Sequence, residues 1–228
     1  MRFNKLISKM EKIEERILKT GTTLVGVATK DAVVIGADKR MTIGGMFVAH
    51  KRFDKIFLIT DKIAVATAGN VSDVQLLLKI TQAELKLKKL RTKAEHTVRE
   101  VANLFATLTY ENIRRLSPLL AISAFIIGGS DVRGNWLYEI GVDGSVAEYK
   151  DFVSVGSGSI LAYGVLESLY RKDMKKDEAI QLVVKALNAA MQRDTGTGSG
   201  LDIIVIDEKG ARKVLEQEAE MIMKEVKK

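Results

Sequence analysis

Residues 15–40 read ERILKTGTTLVGVATKDAVVIGADKR: a charged, helix-like lead-in that ends at Thr20–Gly21, then two apolar runs, Leu24–Thr29 and Ala32–Ala37. The runs are rich in valine and joined by the short polar pair Lys30–Asp31, which predicts a tight β-hairpin. Gly21, Thr22 and Thr23 stand at the junction of helix and hairpin. Two readings fit that junction. It is a turn before a strand, or it is a point where the chain is cut to leave Thr22 at a new N-terminus.

Upstream, Phe3, Leu6, Ile7, Met10, Ile13, Ile17 and Leu18 recur at spacings of three and four. They predict an amphipathic helix with a single apolar stripe that must pack on something. The first 21 residues hold six Lys/Arg and three Glu with no unbroken apolar stretch, which excludes a secretory signal. Downstream, Ile43–Gly45 marks a hairpin tip, and strands at Ile56–Thr60 and Ile63–Gly69 form a second hairpin around Asp61–Lys62. Helices follow over Val71–Leu90 and Lys93–Leu116, the second closed by Pro118, the one proline of the chain. Strands return at Leu119–Ile127, Asn135–Val142 and Val146–Tyr149, with turns at GGSDVRG (128–134) and Asp143–Gly144. After VGSGS (155–159) come helices Ile160–Lys172 and Asp177–Arg193, a last strand Leu201–Asp207 and a charged tail.

Segregated runs of strands and helices predict an α+β layered domain in place of an alternating parallel fold. Near-continuous apolar strands such as LLAISAFII (119–127) call for sheets covered on both faces. Two stacked antiparallel sheets with a helix pair on each outer side satisfy both requirements.

The chain has 228 residues, 46% of them hydrophobic and 29% charged, which suits one domain with a substantial core. No apolar run approaches the roughly 20 residues that cross a bilayer, so no membrane span is expected. Zero cysteines exclude disulfides and thiolate metal sites and fit a cytoplasmic protein. The net charge of +7 is spread thinly; its densest stretch, KLKKLRTK (86–93), lacks interleaved aromatics, so a solvated helix end is expected and not a nucleic-acid surface.

Nucleophile systems are scarce. The two histidines, His50 and His96, have no G-x-S-x-G partner and are expected at the surface. No His/Asp/Glu cluster has metal-ligand spacing, and GSGS (156–159) lacks the lysine of a phosphate-binding loop, so neither metal nor cofactor is expected. One chemistry needs neither histidine nor cysteine. A threonine at a chain terminus uses its own α-amine as the base for its hydroxyl. The amine's ordinary pKa of about 7.7–8 lies close to working pH, far below that of lysine. Cleavage between Gly21 and Thr22 would create such a terminus, and glycine tolerates the backbone geometry that brings the hydroxyl to the preceding carbonyl.

From Thr22 to Asp207 five ordered motifs resemble those of catalytic β subunits of the proteasome core particle, of the archaeal type. They are GTTLVGVATKDAVVIGADKR (21–40), HKRFDKIF (50–57), ATAGNVSDVQ (66–75), SVGSGSILAYGVLES (154–168) and MQRDTGTGSGLDIIVI (191–206). The resemblance implies the four-layer αββα sandwich of N-terminal nucleophile hydrolases, with residues 1–21 a propeptide removed autocatalytically at Gly21–Thr22 and residues 22–228 a single domain. It further implies a threonine endopeptidase that degrades unfolded polypeptides through an acyl-enzyme intermediate.

Position by position, the resemblance assigns Thr22 as nucleophile, Asp38 as its acidic partner and Lys55 as the lysine paired to Asp38. Ser157, Asp194 and Thr197 match the group that orients the terminal amine, and Gly69 the backbone donor of the oxyanion hole. Met41, Thr67 and Val71 match the pocket for the residue preceding the scissile bond. Two positions depart from the family. The stretch from Asp38 to Lys55 is one residue longer than usual, with the extra residue placed at Gly44–Gly45, which leaves Lys51 as a rival to Lys55. Thr197 stands where serine is usual, adding a methyl. The implied partners are further β subunits in a heptameric ring stacked on a second β ring, α-subunit rings, an ATP-dependent unfoldase and unfolded substrates. A catalytically silent ring subunit that keeps its leader is the alternative; the joint presence of Thr22, Asp38 and Lys55 argues against it.

Overall fold

A computed structural model of the chain describes residues 21–44, 47–117 and 121–218. The helix expected over residues 3–18, the expected leader apart from its last residue Gly21, Gly45 and Pro118 lie outside the described residues. Twelve strands and four helices are assigned among those described. The first sheet contains β1 (Thr23–Ala28), β2 (Val33–Asp38), β10 (Phe152–Gly156), β11 (Gly200–Asp207) and β12 (Gly210–Glu218), ordered β10-β1-β2-β11-β12. The second contains β5 (Ile56–Thr60), β6 (Ile63–Gly69), β7 (Ser123–Asp131), β8 (Gly134–Ile140) and β9 (Val146–Tyr149) in sequence order. A short hairpin, β3 (Met41–Ile43) with β4 (Phe47–His50), stands apart. Every pairing is antiparallel.

Helices α1 (Val71–Thr92) and α2 (Val98–Ile113) cover the outer face of the second sheet; α3 (Ser159–Leu169) and α4 (Lys176–Arg193) cover the first. Three apolar layers hold the stack together. Val25, Val34, Ile203 and Val205 meet Leu166, Val183 and Leu187 under α3 and α4. Val65, Phe125, Ile127 and Ile140 meet Leu77, Val101 and Phe105 under α1 and α2. Leu24, Ile35, Ile126, Leu137 and Ile206 fill the space between the sheets. The αββα sandwich expected from the order of elements is therefore the architecture. Strands β1, β2 and β11 are buried at every position, because both their faces are covered, and that is why they read as unbroken apolar runs.

Four differences from the sequence reading have local causes. The second helix starts at Val98 and not at Lys93: Lys93 takes a left-handed conformation (φ 56°) that ends α1, and Thr97 with Glu100 forms a capping box. Gly128 and Gly129 lie within β7, paired on both sides, and do not begin a turn; they are glycines because a Cβ at either would strike Ile35, Val33 or Val98 within 3 Å. Residues 152–156 form β10, pairing with β1. The start of the supposed tail is β12, an edge strand whose Arg212, Lys213 and Glu216 are exposed, the usual protection of an open edge.

Candidate functional site

The antiparallel registers bring five chain segments to one end of the sandwich. Thr23 pairs with Gly156, and Leu201 pairs with Asp38 at the adjoining position of the sheet. Lys55 enters from the second sheet just before β5, held by the Thr67 N–H donating to its carbonyl at 2.9 Å. The β6-to-α1 turn arrives beside them at Gly69, whose φ of +114° and whose approach to Ile122 admit no side chain: a Cβ would lie 2.2 Å from the Ile122 carbonyl oxygen.

Thr22 lies at the convergence, 5% exposed, and its Oγ1 donates to the Gly21 carbonyl oxygen at 2.6 Å. The Gly21 N–H donates to Thr42 Oγ1 at 2.7 Å, fixing the peptide from the other side. Glycine at 21 is required by space. A Cβ there would meet the backbone of Gly196 at 2.0 Å, and one on Gly196 would meet Gly21 Cα at 2.3 Å.

Asp38 is 1% exposed and accepts four hydrogen bonds. Its Oδ1 takes the Thr23 N–H at 2.9 Å and Lys55 Nζ at 2.7 Å; its Oδ2 takes the N–H groups of Arg40 and Gly198, each at 3.0 Å. Lys55 is 4% exposed, and its ammonium reaches towards the Gly21 carbonyl oxygen at 3.5 Å. Burial lowers the pKa of Lys55 against the opposing pull of Asp38. Lys51 is exposed, so of the two lysines it is Lys55 that the structure sets beside Asp38. On the far side of Thr22, its N–H donates to Ser157 Oγ at 3.2 Å; Ser157 Oγ and Thr197 Oγ1 both donate to Asp194 Oδ2, the former at 2.6 Å.

Thr22 opens onto a cavity of about 570 Å³. Met41, Thr67 and Val71 line it, together with Lys55, Gly69, Phe53, Val74, Asn112 and Arg115. All the residues named from the sequence for nucleophile, partners, oxyanion donor and pocket therefore meet in one place.

The family described as "Proteasome subunit" matches residues 18–206. The chain belongs to the proteasome β-subunit family. It is 41% identical over 215 residues to a proteasome subunit beta of Ferroglobus placidus, covering 94% of this chain and all of that one. It is 41% identical over 219 residues to that of Archaeoglobus fulgidus (96% and 100% covered), and 38% over 207 residues to that of Methanopyrus kandleri (90% and 97%). A proteasome subunit is a component of a multisubunit, protease-type core particle, and this chain is one.

Several residues around this β-subunit site escaped the sequence reading. Thr42 and Gly196 flank the Gly21 peptide, and Thr23 joins the hydrogen bonds behind Thr22. Arg40 braces the 195–199 segment, its Nη1 donating to the Thr195 carbonyl at 2.9 Å. A sequence signal existed for Gly196 alone, in the glycine-dense DTGTGSG (194–200). His96, expected at the surface, is 8% exposed, with its Nε2 2.8 Å from the Leu85 carbonyl oxygen, because the α1–α2 connection folds back over α1. Among the described residues one acidic group, Asp54, Asp202 and Glu216, has the spacing to hold a cation. The Lys39 ammonium already sits there, 3.4, 3.1 and 2.7 Å from the three carboxylates. Burial opposes that charge, but hydrogen bonds to Glu216 and Asp202 outweigh it and raise the Lys39 pKa. No helix among the described residues is long and apolar enough to cross a membrane.

Proposed function

We propose that this β subunit is a threonine endopeptidase whose nucleophile is Thr22, exposed when residues 1–21 are removed. The observation that carries the reading is the Thr22 Oγ1–Gly21 carbonyl contact of 2.6 Å, flanked by the buried Lys55–Asp38 pair. In the continuous chain the Thr22 hydroxyl attacks the Gly21 carbonyl carbon. The peptide bond to the Thr22 nitrogen gives way to an ester with Oγ1, and water hydrolyses the ester, leaving a carboxylate on Gly21 and a free amine on Thr22.

That amine then takes the proton of the Thr22 hydroxyl as Oγ1 attacks a substrate carbonyl. The nearby Lys55 charge favours both the neutral amine and the developing alkoxide. The substrate residue before the scissile bond fills the cavity lined by Met41, Thr67 and Val71, and its carbonyl oxygen is received by the Gly69 N–H, a contribution of about 3–4 kcal/mol in related chemistry. The leaving amine carries away the proton, and water releases the acyl group from Oγ1.

The implied working form is a heptameric β ring stacked on a second, capped by α rings and fed with unfolded chains by an ATP-dependent unfoldase in the cytoplasm. A buried ammonium is expensive to keep where it does nothing, which weighs against a silent subunit that retains its leader.

Thr22→Ala in the assembled particle tests the reading. Intact mass should show the leader retained and peptide hydrolysis should vanish, with the melting temperature within a few degrees of wild type. Particles containing only this β type that still cleave peptides after the substitution would remove Thr22 from the mechanism.

A further inference from the structure

We infer that Thr23 is a positioning residue that tunes, through Thr197 and Asp194, the hydrogen-bond network around the Thr22 nitrogen, an inference that rests on Thr22 being the nucleophile. Thr23 is fully buried, and its Oγ1 lies 2.6 Å from Thr197 Oγ1. By distance alone either oxygen of that pair could donate. The neighbours decide the direction. Thr197 Oγ1 also meets Asp194 Oδ2, and a carboxylate oxygen only accepts. The single Thr197 proton is committed to Asp194, so the Thr23 hydroxyl must donate to Thr197.

The second arm obeys the same rule. Ser157 Oγ gives its proton to Asp194 Oδ2 at 2.6 Å, in preference to the longer 3.4 Å contact with the Thr22 carbonyl. It therefore accepts the N–H of Thr22. One carboxylate oxygen thus gathers two hydroxyl protons, through arms that end on consecutive residues of the chain. Space for the Thr23 arm is kept by Gly158, where a Cβ would lie 2.2 Å from Thr23 Oγ1. The β-branched Thr197 has a stiffer χ1 than serine, which holds its hydroxyl between Thr23 and Asp194.

This polarity has a chemical consequence. Once Thr22 is terminal, its amine must keep a lone pair for the proton of its own hydroxyl. A Ser157 hydroxyl donating to the nitrogen would occupy that lone pair; Asp194 draws the donation away. Thr23 polarises Thr197, which strengthens the Thr197 donation and spreads the Asp194 charge. The amine is then held less firmly in its protonated form.

Thr23→Val removes the hydroxyl at constant shape, and Thr23→Ser restores it. The assembled particle made from the full chain is assayed for peptide hydrolysis against pH, alongside intact mass and melting temperature. In Thr23→Val, kcat should fall about fivefold, the ratio set by one intramolecular hydrogen bond, with KM unchanged. The acid limb of its kcat/KM profile should move up by about half a pH unit, because the amine becomes easier to protonate. Thr23→Ser should recover both. A Thr23→Val particle with wild-type kcat and profile overturns the inference. So does a slower one whose acid limb has not moved, or one that Thr23→Ser does not rescue. Thr22→Ala separates the two claims: if it stays active the nucleophile assignment falls, whereas if it is dead and Thr23→Val is normal, only the role of Thr23 falls.

Discussion

The Asp38–Lys55 pair is asymmetric, and the asymmetry makes a quantitative prediction. Without Lys55, Asp38 still accepts three backbone N–H groups, from Thr23, Arg40 and Gly198. Without Asp38, those three donors are orphaned and, among the described residues, the Lys55 ammonium keeps one hydrogen bond, the 3.5 Å contact with the Gly21 carbonyl. Lys55→Met, which preserves length and removes charge, should therefore cost about 1–2 kcal/mol. Asp38→Ala strands a buried charge and should cost about 3–5 kcal/mol. For a chain of this size, each kcal/mol lowers Tm by about 2–4 °C, giving losses of about 2–8 °C and 6–20 °C respectively.

The assay is thermal unfolding of the unassembled subunit, with peptide hydrolysis by the assembled particle measured in parallel. Hydrolysis should fall in both variants by at least about a hundredfold. A pH series adds a sign. Burial already lowers the Lys55 pKa below its ordinary 10.5, and losing Asp38 removes the main force opposing that. The unfolded chain then binds a proton that the folded chain sheds, so stability rises with pH across the interval from the folded Lys55 pKa up to 10.5. The Asp38→Ala deficit should shrink as pH climbs through that interval. Equal losses of Tm for the two variants, or a larger loss for Lys55→Met, would refute the reasoning.

Two further outcomes are expected. Gly196→Ala places a Cβ 2.3 Å from Gly21 Cα, so it should displace the Gly21 carbonyl and slow leader removal, read by intact mass over time; processing at the wild-type rate would contradict the close approach. Asp207 is gripped by the Arg212 guanidinium through bonds of 2.7 and 2.9 Å, and Arg212 first, then the Lys209 N–H and Lys176, hold its pKa well below the ordinary 3.8. The stability it contributes is present above pH 3.8 and is lost as pH falls below it. The Tm gap between wild type and Asp207→Asn should accordingly be widest near neutrality and narrow in acid; a gap independent of pH would exclude this linkage.

The chemistry of the site was more legible than its walls. Thr22, Asp38, Lys55, Ser157 and Asp194 stand in ordered motifs, and the structure gathers them. The rivalry between Lys51 and Lys55 was open in the sequence, since an inserted residue before them shifts the count; packing sets Lys55 against Asp38 and leaves Lys51 in water. Edge strand β12 was missed because its residues are charged, as edges require, and β10 because a glycine-serine run follows it.

The sequence alone determined the layered α+β class, since strand and helix periods are local properties of the chain. It also made a terminal threonine the most economical nucleophile to propose, because composition removed cysteine and left no histidine motif. Only the tertiary structure decided which hydroxyls face Asp194, why position 21 needs a glycine, and how Thr23 enters the network. Those facts are distances between segments far apart in the chain, such as Thr23 and Thr197, 174 positions apart, and local patterns carry no record of them.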